Sequence, residues 1–330
     1  MATIRDLITP ALIVDTDALE RNLQTMAAAL PGARLRPHVK AHKCTMLARR
    51  QAAHGHKTYC CATVREMIGM AGAGLGDDLL LANETLEPRR LAGLEARVTV
   101  AVDSEATVDA AAQAGGAVRE VMIDVNVGLP RCGCDPAHAG ALADRARRAG
   151  LTVRGVMGYE GHAVGMDDRA VREQLCASAM ELLLAAHRDV GGDVISAGGT
   201  GTYDINTWAT EIQAGSYALM DTAYGKLGLP FVQALWVWAT VISVSPAYAV
   251  ADCGLKSLGM DHGNPTVENG SVWFCSDEHT TFAPATPVKV GDRVRVIPAH
   301  IDPTIAYHER MHLISGETVL ETWPVDLRGW

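Results

Sequence analysis

Through the first two thirds of the chain, short apolar runs alternate with alanine-rich amphipathic stretches, and this alternation restricts the fold more than any other feature. Candidate strands lie at 35–39, 58–62, 78–81, 98–102, 120–126, 152–159, 194–197 and 217–220. Helical periodicity fills the gaps at 63–71, 105–113, 137–148 and 169–187. A helix after the N-terminal strand is expected to start near Asp17, with Glu20 completing a capping-box-like pair. Eight strand–helix units of this length predict an α/β fold, a (β/α)8 TIM-type barrel. Periodicity does not fix strand order, so a doubly wound open sheet is the structural rival. After about residue 230 the helical periodicity fades. Val-, Thr- and Trp-rich runs follow one another, punctuated by Gly263-Asn264-Pro265, Asn269-Gly270 and Gly291-Asp292. That texture predicts an antiparallel β domain. The expected division is a barrel over 16–230 and a β-rich domain over 231–330, joined by the N-terminal segment 1–15 with its strand 11–15.

A length of 330 residues with 48% hydrophobic residues supplies core enough for both domains. The net charge of −9, with no extended basic stripe, argues against nucleic acid or an anionic membrane as partner. The apolar run 231–251 approaches the length of a membrane span. Its Gln233, Ser243, Ser245 and Pro246, and its β-branched and aromatic residues, fit two buried strands instead. Eight dispersed cysteines without paired zinc spacing, in a chain with no signal-peptide pattern, predict reduced thiols and a cytoplasmic setting. Cys132-Gly-Cys134 reads as a loop accident ahead of a redox or metal pair.

Three segments carry candidate chemistry. In Arg36-Pro37-His38-Val39-Lys40-Ala41-His42-Lys43, Lys40 ends the first barrel strand, at the face where barrel active sites are built. In a strand His38, Lys40 and His42 share one side, and crowded cationic neighbours would favour the neutral amine that a Schiff base needs. A basic strand end facing solvent is the other reading. Ser196-Ala197-Gly198-Gly199-Thr200-Gly201-Thr202 offers backbone amides and hydroxyls to an anion, with Gly215-Ser216-Tyr217 nearby in sequence; it matches neither dinucleotide nor nucleotide P-loop patterns, and a plain turn is its alternative. In His300-Ile301-Asp302-Pro303-Thr304, an extended backbone would aim His300 and Asp302 the same way, toward one cation. A polar turn between strands explains the same spacing.

The motifs resemble, in order along nearly the whole chain, those of the D-threonine aldolase and D-serine dehydratase family. Its barrel is of the alanine-racemase N-terminal type. The matches include Thr9-Pro10-Ala11, Arg36-Pro37-His38-Val39-Lys40, Thr63-Val64-Arg65-Glu66 and Asp124-Val125-Asn126 through Arg131 and Gly133. They continue with Gly158-Tyr159-Glu160-Gly161-His162, Gly198 to Tyr203, Gln213 to Tyr217, Asp252 to Lys256, Ser276 to His279, and His300 to Thr304. The resemblance implies pyridoxal 5′-phosphate bound to Lys40, with Arg131 near its phenolic oxygen and Tyr159 beside its ring. It implies a phosphate site of Gly199, Thr200, Gly201, Gly215, Ser216 and Tyr217. His162 would serve as a catalytic group on the substrate's reacting side, and His300 and Asp302 would bind a divalent metal, with Glu278 and His279 facing the same region.

The resemblance further implies a homodimer acting on D-amino acids. Dehydratase members resemble His-x-Cys at the metal position and use zinc. Aldolase members resemble His-x-Asp with a harder ion, so Asp302 favours Mn²⁺, with Mg²⁺ or Zn²⁺ as alternatives. The expected reaction is cleavage of D-3-hydroxy amino acids to glycine and an aldehyde. Its rival is dehydration of D-serine or 3-hydroxyaspartate to a 2-oxo acid and ammonia. A racemase would not explain the metal pair, and a non-catalytic cofactor carrier would not explain the β-rich tail. A cofactor-free barrel is the remaining alternative.

Overall fold

The computed structural model describes residues 2–330, which form two compact units. One comprises residues 26–40, 47–215 and 327–330; the other comprises 2–25, 41–46 and 216–326. In chain order, β1 (Ala11–Asp15), α1 (Thr16–Ala29) and α2 (Thr45–Ala53) precede a strand–helix succession. It runs β2 (Thr58–Cys61), α3 (Val64–Gly72), β3 (Asp78–Leu81), β4 (Val98–Val102), α4 (Glu105–Gln113), β5 (Glu120–Asp124) and α5 (Ala139–Arg148). β6 (Thr152–Met157), α6 (Arg169–Val190), β7 (Val194–Ala197) and β8 (Glu211–Ile212) complete it. Then come α7 (Thr222–Gly225), β9 (Leu235–Val244), β10 (Ala249–Ala251), β11 (Thr266–Val267), β12 (Gly270–Cys275), β13 (Thr280–Pro284) and β14 (Arg293–Ile297). α8 (Ile301–Tyr307), β15 (Arg310–Ser315) and β16 (Thr318–Pro324) end the chain. α1 begins one residue before Asp17, and its cap is the Asp15 carboxylate, which accepts the Ala18 N–H at 2.9 Å.

In the first unit β2 to β8 form one parallel sheet in sequential order. The segment 35–38 closes it into a barrel: Leu35 pairs with Ile212 of β8, and His38 with Cys60 of β2. The Arg36 and His38 amides donate to Ile212 and Ala214 (2.9 and 3.1 Å), whereas Pro37, having no N–H, accepts from Cys60 at 2.9 Å. The barrel fold stands, with two strand positions corrected. The eighth strand is Glu211–Ile212, too short to show periodicity, and the expected strand 217–220 is a short turn at Ser216–Ala218 instead. The first strand stops at His38, because Val39–Ala41 turns as a single 3₁₀ segment. His38, Lys40 and His42 therefore do not line one side of a strand.

Side chains fill the barrel in layers. A charged floor lies near the amino ends of the strands. There buried Arg36 binds Glu211 (2.7 Å) and Asp78 (3.1 Å), and Arg154 reaches Asp78 (2.8 Å) and Thr99 (2.9 Å). Burial works to raise the Asp78 carboxyl, but hydrogen bonds and charge from Arg154 and Arg36 outweigh it and hold Asp78 below the usual carboxylate range. Above the floor Cys60, Leu80, Ala101, Met122 and Met157 make an apolar layer.

In the second unit one sheet runs β12-β13-β10-β9-β1-β15-β16, and β14 pairs with both β9 and β11. All these pairings are antiparallel except β1 with β15. The run 231–251 is the two strands its residue types predict, β9 and β10. Ile4, Ala11, Ile13, Trp236 and Ile314 form one cluster of its core. Among the described residues, no helix is long and apolar enough to cross a membrane.

Candidate active site

The barrel unit carries Lys40 in the turn that follows the first strand, at the carboxyl-end face. Lys40 is half-buried, and its amide lies 3.5 Å from His38 Nδ1. On the same face, after β5 and β6, the Arg131 guanidinium sits 5.2 Å from the centre of the Tyr159 ring. His162 packs against Gly128, whose missing side chain leaves room for the imidazole, and its buried Nδ1 has no hydrogen-bond partner among the described residues. Asp124, at the end of β5, is buried; burial first, then the neighbouring Glu84 carboxyl, push it well above the usual range.

The glycine-rich segment after β7 folds as a tight turn at Thr200–Thr202. Gly201 lies so close to the chain that a Cβ would stand 1.8 Å from the Val164 carbonyl oxygen, and Gly198 adopts φ +84°. One carboxylate holds the turn. Glu160 is fully buried, and it accepts hydrogen bonds from the Gly198 N–H (3.0 Å), the Thr202 hydroxyl (2.9 Å) and the Asn206 amide (3.1 Å), with the Cys176 thiol at 3.7 Å. The hydroxyls expected to face an anion are thus partly committed elsewhere. Thr202 serves Glu160, and Ser196 donates to Glu211 at 2.7 Å in the barrel floor. Gly199, Thr200 and Gly201 stay at the turn, and Gly215 follows β8.

The β-rich unit carries Ser216, Tyr217, His300 and Asp302. Ser216 and Tyr217 open the turn Ser216–Ala218, with Tyr217 buried against Phe231 at a ring separation of 5.6 Å. His300 immediately precedes α8, and Asp302 lies in its first turn, so the pair is not on an extended strand. The helix start still brings them together: His300 Nε2 lies 3.9 Å from Asp302 Oδ1, and the Ser216 hydroxyl lies 3.4 Å from the same oxygen. Buried Asp221 fixes this corner by accepting the Ile301 N–H (3.0 Å) and the Tyr224 N–H (2.9 Å). An imidazole nitrogen and a carboxylate at this separation are a donor set that one divalent cation can bridge. Glu278 and His279 do not join it: Glu278 pairs with Lys256 at 3.4 Å, and His279 lies 3.5 Å from the Ser276 hydroxyl.

Glu160 and Asp221 were missed as supporting acids because the Glu160 donors, and Ile301 on Asp221, lie 16 to 80 residues away in the chain. All eight cysteines are free. Burial pushes the Cys132 and Cys134 thiols up to about 11 and about 12, so neither is a thiolate at neutral pH.

Residues 14–223 match the family model described as "Alanine racemase, N-terminal domain", and residues 234–314 match that described as "Putative serine dehydratase domain". A D-threonine aldolase of Arthrobacter sp. is 34% identical, over 98% of this chain and 93% of its own length. A 3-hydroxy-D-aspartate aldolase of Paracoccus denitrificans is also 34% identical, with the same coverage. The crystal structure of D-threonine aldolase from Filomicrobium marinum superposes with a TM-score of 0.93 at 34% identity, covering 98% of this chain and 96% of that one.

Proposed function

Because the chain belongs to the family of alanine-racemase-like barrel enzymes that includes the D-threonine aldolases, we propose that it cleaves D-3-hydroxy amino acids of the D-threonine kind to glycine and an aldehyde. The observation that carries the choice is the nitrogen–carboxylate pair His300 and Asp302, held 3.9 Å apart where dehydratases of the family resemble His-x-Cys. A hard carboxylate donor suits Mn²⁺ or Mg²⁺ better than a thiolate would.

The residues fit pyridoxal 5′-phosphate by their chemistry: a primary amine, a guanidinium beside an aromatic ring, and a turn of small residues with backbone packed too tightly for side chains. When bound, the cofactor supplies an electron sink for the bond that breaks at the substrate's α-carbon. Lys40 would hold the cofactor through its aldehyde and Arg131 would meet its phenolic oxygen, with Tyr159 beside the ring. Gly199, Thr200, Gly201, Gly215, Ser216 and Tyr217 would hold its phosphate. His300 and Asp302 would hold a divalent ion, Mn²⁺ first among candidates, which would supply Lewis-acid chemistry at the substrate's 3-hydroxyl. The His162 imidazole takes the hydroxyl proton, so that the Cα–Cβ bond is the one to break.

The division of labour is a cofactor-binding barrel over 16–230 and a metal-carrying β domain over 231–330 with the N-terminal strand. The working form is a homodimer in the cytoplasm, consistent with eight free cysteines and with Trp273 and Phe274 half-exposed on the edge strand β12. The net charge of −9 without an extended basic stripe speaks against a nucleic-acid or anionic-membrane partner.

The test is product analysis. Purified holoenzyme with Mn²⁺ is given D-threonine and, separately, D-serine. Glycine with acetaldehyde, lost on chelation and restored by the metal, is the expected outcome; ammonia with a 2-oxo acid would assign a dehydratase instead.

A further inference from the structure

Two residues with no role so far stand against the first metal donor. Asp261 Oδ2 lies 2.7 Å from His300 Nδ1, while the other ring nitrogen, Nε2, is the one 3.9 Å from Asp302. The His262 ring lies flat on the His300 ring, with centroids 4.0 Å apart and planes 7° from parallel. The backbone is built to keep Asp261 there. Gly259 pairs with His300 across an antiparallel bridge, and its N–H donates to the Thr304 hydroxyl at 2.8 Å. That hydroxyl in turn donates to the His300 carbonyl at 2.7 Å. A Cβ on Gly259 would stand 2.3 Å from the Pro303 ring, so only glycine lets the two segments approach this closely.

We propose that Asp261 is a positioning residue for the metal ligand: it accepts the Nδ1–H of His300 and so leaves Nε2 as the lone pair that meets a divalent cation together with Asp302. A neutral imidazole has one donor nitrogen and one acceptor nitrogen, and a carboxylate on Nδ1 fixes which is which. It also sets the ring's rotation and raises its basicity as a ligand. The stack with His262 blocks rotation out of that plane. An alternative arrangement exists, because single donor atoms of Asp261, His262 and His300 lie within 4.8 Å of one another and could themselves share an ion. The side chains favour the positioning role. Asp302 is 15% exposed and close to Nε2, whereas Asp261 is 55% exposed and already occupies Nδ1.

The inference rests on His300 and Asp302 as metal ligands, and metal affinity separates the two claims. Mn²⁺ binding to cofactor-loaded, chelator-stripped enzyme is measured by titration calorimetry for wild type, Asp261→Ala, Asp261→Asn, His300→Ala and Asp302→Ala. Asp261→Ala is expected to weaken binding about 10- to 100-fold. Asp261→Asn is expected to lose less, since its amide oxygen still accepts the Nδ1–H, and the cofactor's absorption band is expected to stay unchanged in both. Wild-type affinity in both Asp261 variants, with binding lost in His300→Ala and Asp302→Ala, would overturn the inference and leave the ligand pair standing. Loss in Asp261→Asn as complete as in His300→Ala would make Asp261 a ligand and overturn the positioning role. Unchanged binding in all four variants would overturn both claims.

Discussion

Glu160 shows what a single buried carboxylate does for the barrel mouth. Its oxygens gather donors from residues 16 to 46 positions further along the chain, and those donors shape the glycine turn at 200–202. Removing it leaves the Gly198 amide and the Thr202 hydroxyl buried without an acceptor, and the Asn206 amide with only the Met180 sulfur, each loss costing about 1–3 kcal/mol before relaxation. Glu160→Ala is expected to lower stability by about 2–5 kcal/mol and to weaken cofactor binding about tenfold or more. Denaturant midpoints and titration of the cofactor band measure both, and an unchanged cofactor affinity would deny the turn its phosphate role. The residues with chemistry of their own were legible: an amine, imidazoles and glycines at motif spacing stand out in the sequence. Glu160 lay inside a recognised motif yet had no visible task, because its four partners converge only in the folded barrel. For the same reason Ser196 and Thr202 looked like anion ligands, although protein carboxylates hold their hydroxyls.

Among the elements, long periodic strands and helices were readable and short ones were not. β8 has two residues, the closing strand ends at the 3₁₀ turn Val39–Ala41, and α8 begins between His300 and Asp302. Each is fixed by tertiary hydrogen bonds rather than by a pattern of its own; α8, for instance, begins where Asp221 accepts the Ile301 N–H. The charged floor is another feature of assembly, since Arg36, Asp78, Arg154 and Glu211 come from four strands that meet only when the barrel closes. Asp78 has a folded pKa below its unfolded value. Its pairing therefore contributes stability that is complete above about pH 4 and is lost as the pH falls through the depressed value. Asp78→Asn is expected to cost on the order of 3 kcal/mol at pH 7 by taking from Arg154 and buried Arg36 the carboxylate they share. Thermal melts should show that difference narrowing as the pH falls below about 4. A gap that widens as acid is added would contradict the assignment.

For the molecule as a whole, the change of texture near residue 230 told of a barrel followed by β structure, because a period of 3.6 gives way to turns and β-branched runs. An interface between copies was not legible from residue pattern, since a strand edge looks alike whether solvent or a partner covers it. Sedimentation velocity at micromolar concentration is expected to find a dimer, and Trp273→Lys or Phe274→Asp to shift it toward monomer. A fully active monomer would contradict the assembly. The proposed chemistry depends above all on one amine among the chain's six lysines. Borohydride reduction of the holoenzyme, followed by digestion and mass spectrometry, is expected to find the reduced phosphopyridoxyl group on Lys40 alone. The same group on another lysine, or on none, would contradict it.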